Sequence, residues 1–121
     1  MEYNFVELQT YRGINKSLYA GSVNEAAVDT KATPTDVMPF KEASFFLNVS
    51  AFAGTNVVVT VVSQDPVSLA WLTIVTFTTK TGTGSEKKDI AANLGSKIAV
   101  IVTPTGAGVK TLTVSANFKI M

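Results

Sequence analysis

The chain has 121 residues, a formal net charge of +1, and neither histidine nor cysteine. That length fits one domain with a core that can stand without disulfides, and the missing side chains exclude His-based triads, thiol nucleophiles and Cys/His zinc sites. Charged residues make up only 16% of the chain against a usual value of about 25%, while 16 Thr and 16 Val favour pleated, half-buried strands over helices.

The opening residues Met1-Glu2-Tyr3-Asn4-Phe5 lack the basic and apolar regions of a secretory signal, so synthesis and assembly in a cytoplasm are expected. No run approaches the roughly 20 apolar residues of a membrane helix. Residues 1–40 are mixed and weakly periodic, and read as an N-terminal arm with one or two edge strands, or equally as a fully integrated part of the sandwich. Within them Phe5, Leu8 and Tyr11 mark a strand or an extended arm, and residues 24–29 tolerate a short helical turn. Thr33-Pro34 and Met38-Pro39 hold the backbone extended before each proline.

Residues 41–121 read as a β-sandwich core within a single domain. Residues 44–52 alternate loosely, and residues 56–64 form a near-continuous Val run suited to a central strand. Residues 70–79 place Trp71, Thr73, Val75 and Phe77 on one face, with Trp71 and Phe77 as expected core anchors. A short polar strand is expected over 85–90 and a strand apolar on both faces over 96–103. Residues 105–108 have the composition of a hairpin loop. The last strand is the most regular, with Leu112, Val114, Ala116, Phe118 and Ile120 facing one way, and Phe118 is the third expected anchor. Turn signals every ten or so residues without helical periods indicate an all-β, antiparallel β-sandwich or jelly roll.

Few residues suggest chemistry. Glu86 and Asp89 alternate with Lys87 and Lys88, as solvated charges on a polar strand would. Asp65 before Pro66 fits an Asx turn better than a calcium loop, since no Asp-x-Asp-x-Asp-Gly run exists. Gly82 and Gly84 lack the continuation of a nucleotide-binding loop. Catalytic, cofactor and metal residues are therefore expected to be absent. The near-neutral charge argues against a nucleic-acid binder, although the part from Lys80 onward carries six Lys against Glu86 and Asp89 and reads as a half sandwich decorated with exposed lysines. A surface of Thr, Ser, Asn and Gly is easier to desolvate than a charged one, and so suits close contact with a partner or with copies of the chain itself.

The residues Phe46-Leu47-Asn48-Val49-Ser50-Ala51, Gly54-Thr55 before a Val/Thr strand, Trp71-Leu72-Thr73-Ile74-Val75-Thr76-Phe77-Thr78, Asn93-Leu94-Gly95 and the closing strand after Gly108 resemble small virion proteins of tailed bacteriophages. The resemblance implies a non-enzymatic capsid decoration or cement protein of jelly-roll type. Such a protein binds the major capsid protein, works as a homotrimer, and needs no cofactor, nucleic acid or membrane. It departs from the pattern at Ser96-Lys97, where an Arg or Tyr is usual, and at Asp65-Pro66-Val67-Ser68, where an Asp-Gly turn is usual. Tyr3, Phe5, Leu8 and Tyr11 are the candidate intersubunit or capsid contacts. The alternative is a carbohydrate-binding module or tail-fibre adhesin on the same sandwich, which needs an exposed aromatic ring, with Trp71 the one to examine.

Overall fold

The computed structural model describes residues 14–38, 40–91 and 94–119. Among the described residues nine strands follow in order: β1 (Ile14–Val23), β2 (Val28–Asp29), β3 (Thr35–Asp36), β4 (Glu42–Ala51), β5 (Asn56–Gln64), β6 (Trp71–Thr76), β7 (Gly84–Ile90), β8 (Lys97–Thr105) and β9 (Lys110–Lys119). No helix occurs among the described residues. The segment that tolerates a helical turn is instead a bend at 24–26 running into β2.

Every pairing is antiparallel, and the strands form two sheets in the orders β1-β9-β4-β7 and β2-β8-β5-β6, with β3 also paired to β8. If β2 and β3 are taken as one interrupted strand, this is the eight-strand, two-sheet order of a jelly roll. Strands adjacent in sequence mostly sit in opposite sheets, so alternation along each strand is what places apolar side chains between them. Phe45, Leu47 and Val49 of β4 and Leu112, Val114, Ala116 and Phe118 of β9 close on Val57, Val59 and Val61 of β5 and Ile98, Val100 and Val102 of β8. Phe118 is fully buried, stacks on Phe40 with ring centroids 5.0 Å apart, and meets Phe45 edge-on at 6.2 Å. Val23, Val37 and Phe40, from the first forty residues, belong to the same core.

One expected anchor is displaced. Between Val61↔Val75 and Val62↔Thr73 the β5/β6 register shifts, which leaves Ile74 as an extra residue on β6. A one-residue bulge exchanges the two faces of a strand beyond it. Val75 and Phe77 therefore stay inside, with Phe77 1% exposed, whereas Trp71 pairs with Gln64 and is half-buried outside the core cluster. Trp71 is thus no core anchor.

The turn before β8 is held by a different device. Leu94 puts its side chain into the core, and Gly95 follows at φ +84°. A Cβ at that position would collide with Ser63 Oγ, which donates to Leu94 O at 2.7 Å. Only glycine meets both demands.

Candidate contact surfaces

The outer face of the β1-β9-β4-β7 sheet is the most organised surface. The registers place Asn15, Asn117, Ser44 and Asp89 in one row across the four strands, and Ser17, Ser115, Phe46 and Lys87 in the next. Thr113, Asn48 and Ser85 continue the pattern. The polar side chains bond one another across the strands. Asn117 Nδ2 donates to Asn15 Oδ1 at 2.7 Å, Ser44 Oγ to Asp89 Oδ1 at 2.7 Å, and Ser85 Oγ to Asn48 Oδ1 at 2.8 Å. Such cross-strand pairs hold each side chain in one orientation. The Ser44 hydroxyl holds the Asp89 carboxyl below its ordinary range, outweighing partial desolvation, with Lys87 and Lys119 assisting. Lys87 lies 3.6 Å from Asp89, and Lys119 lies 3.7 Å from Glu42, so the charges of the face offset each other.

Phe46 stands in the middle of this face, 39% exposed. Its neighbours in sequence, Phe45 and Leu47, are buried, so the alternation that seals the core also turns Phe46 outward. An open depression lies on each side of its ring: one of about 330 Å³ bounded by Asn15, Ser17 and Ser115, the other of about 400 Å³ bounded by Asn48, Ser85 and Lys87. The loose alternation over 44–52 was the signal that could have identified Phe46.

The sheet edges form the second surface. β7 carries Glu86, Lys87, Lys88 and Asp89, β6 is short and bulged, and β2 and β3 have two residues each. Charge, bulging and brevity are the usual protections against unwanted strand pairing. By contrast β1 is ten residues long with one charge, Lys16, and although its register shifts once between Ser17 and Tyr19, among the described residues it pairs with β9 alone. The candidate contacts Tyr3, Phe5, Leu8 and Tyr11, in the segment leading to β1, lie outside the described residues.

Two charged residues differ from their sequence reading. Glu86 is on the inward side of β7, opposite Leu47, with a side chain only 15% exposed. It accepts from Thr78 N at 3.0 Å and from Lys80 Nζ at 2.7 Å, which ties β7 to the segment that follows β6. Burial pushes its carboxyl up, but the bonds from Lys80 and Thr78 prevail and hold it below the usual range. Lys110 is no exposed lysine either: it is 0% exposed, and its ammonium donates to Asn24 O at 3.0 Å, Gly106 O at 2.6 Å and Gly108 O at 3.0 Å. All three of its protons are thereby used. Gly54 lies against it, where a Cβ would come 2.6 Å from Nζ. Lys110 is in phase with Leu112, Val114, Ala116 and Phe118, a parity visible in the sequence. Among the described residues there is no group of three or more His, Cys, Asp or Glu able to hold a metal ion.

No protein-family model and no curated protein matches the chain. Solved structures do. A protein of Bacillus endospore appendages, described as forming disulfide-linked pili, is similar with a TM-score of 0.53 at 11% identity, over 89% of this chain and 88% of that one. The Yersinia pseudotuberculosis-derived mitogen is similar with a TM-score of 0.52 at 10% identity, over 87% and 86%. A carbohydrate-binding module of Cellvibrio mixtus lichenase 5A, solved with cellotriose, reaches a TM-score of 0.42 at 9% identity over 90% and 88%, too low to carry an argument. At such identities the likeness shows the fold alone, and that fold is an antiparallel β-sandwich.

Proposed function

We propose that this chain is a non-enzymatic structural subunit that works by contact, specifically a virion decoration protein that assembles with copies of itself, as a trimer, on a capsid shell built from the major capsid protein. The single observation behind this reading is the asymmetry of the edges. Three are crowded with charge or short, whereas the longest, β1, with a single charge and one register shift between Ser17 and Tyr19, has no second neighbour among the described residues and follows in sequence a segment bearing Tyr3, Phe5, Leu8 and Tyr11. An open strand edge is a template for another chain, and aromatic and aliphatic side chains in the sequence that precedes it add area that such contact can bury. Jelly rolls serve as both capsid and lectin domains, so the fold is compatible with the role without selecting it. Any linkage between copies is non-covalent at cysteine, since this sequence has none.

The test is native mass and co-sedimentation with assembled capsids for three proteins: the full chain, the chain lacking residues 1–13, and a Ser17→Lys/Ala20→Lys variant that places charge along β1. The full chain should sediment with capsids as an oligomer, and both changes should lower its mass and its retention. Monomeric full-length protein that ignores capsids, or undiminished assembly in both variants, would defeat the proposal.

A further inference from the structure

We infer that the Phe46 face is a binding platform for a neutral saccharide chain, a role separate from assembly because it uses the face of the sheet and not its edge. The first reason is the ring. A phenyl group half-exposed at the centre of a polar sheet carries a π-system with a negative face, which suits the slightly positive C–H face of a pyranose. The second is hydrogen-bonding capacity. Asn15 Oδ1 and Asn48 Oδ1 accept bonds from neighbouring side chains, which fixes both amides and leaves each NH₂ group to donate outward. Among the described residues nothing takes up Asp89 Oδ2, because Ser44 and Lys87 both meet Oδ1. Fixed amide donors and a carboxylate acceptor around an aromatic ring match vicinal hydroxyls, each of which donates and accepts.

The third reason is charge. Lys87 with Asp89 and Lys119 with Glu42 offset one another across the face, and Lys16, at the border of the first depression, carries its ammonium over the Phe40 ring, 5.9 Å from its centroid, so the complementary ligand is uncharged. The two depressions flank the ring within the size range of small-ligand sites, about 300–1,000 Å³, and they offer room for one sugar on either side of the stacked residue. Trp71, on the other sheet, has no part in this site.

The experiment probes a panel of defined neutral and acidic oligosaccharides with the full chain, Phe46→Ala and Asn15→Ala/Asn48→Ala. The bound sugars are then titrated by NMR against the wild-type protein. Neutral glycans should bind, each variant should weaken them at least about tenfold while its melting temperature stays near that of wild type, and shifts should cluster on Phe46, Asn15, Asn48 and Lys87. If Phe46→Ala fails to fold, the double Asn variant and the shift map decide the question alone. Binding to no neutral glycan, preference for acidic ones, or shifts centred on Trp71 would overturn the inference. None of these outcomes bears on capsid or self-association, which are read by mass.

Discussion

Replacing Lys110 by Met tests how the closed end of the sandwich is held. The substitution keeps most of the buried stem, so the packing change alone should stay below about 1.5 kcal/mol. What it removes is an ammonium bonded to the carbonyls of Asn24, Gly106 and Gly108. Hydrogen bonds to a charged group contribute about 1.5–3 kcal/mol each, and the effective penalty for taking the ammonium out of water is several kcal/mol. Three bonds exceed that penalty, and their loss leaves three part-buried carbonyls without their donor, so Lys110→Met should destabilise the fold by about 2–4 kcal/mol. Urea unfolding reads this directly. With a slope of about 2 kcal/mol/M, the midpoint should fall by about 1–2 M at unchanged slope. A midpoint within about 0.3 M of wild type would refute the reasoning, since it would mean that desolvation cancels the three bonds and that Lys110 is retained for its stem.

Glu86→Gln makes a pH-dependent prediction. The folded carboxyl lies below the unfolded value of 4.5, so its contribution is complete above that pH and is lost as the pH falls through the folded value. The variant should be less stable than wild type at pH 7, with the gap closing progressively below pH 4.5; a gap that stays constant into acid would contradict the ion pair with Lys80. In the core, Phe77→Ala should cost about 3–5 kcal/mol and Trp71→Ala only about 1–2 kcal/mol, both measured by urea unfolding. Equal losses would place Trp71 back inside and reject the bulge at Ile74.

Much of the fold was legible along the chain because a strand with one dry face writes its own record at period two. The alternation from Lys110 to Lys119 specifies which face of β9 is inside, and the Val run of β5 marks a central strand before any contact is known. Val75 and Phe77 were legible for the same reason. Trp71 was not, because a bulge is a property of two strands together: the extra residue at Ile74 exists only relative to Val61 and Val62 across the ladder. The candidate surfaces were harder still to read. Phe46 looks like any hydrophobic residue in a loosely alternating run, and its exposure follows from Phe45 and Leu47 having taken the core.

The sequence by itself therefore determined the class of the object: one charge-poor, Val/Thr-rich antiparallel sandwich, without the His and Cys on which many active sites depend. Local periodicity and turn chemistry suffice for that, since they act between residues a few positions apart. Only the tertiary structure decided that Glu86 is largely enclosed against Lys80 and Thr78, that Lys110 meets three backbone carbonyls, that Trp71 leaves the core, and that β1 is a long edge with one neighbour among the described residues. Each of these depends on which distant segment lies alongside. Register across the ladder and the presence or absence of a neighbouring strand are set by the packing of the whole domain, so no local pattern of residues contains them.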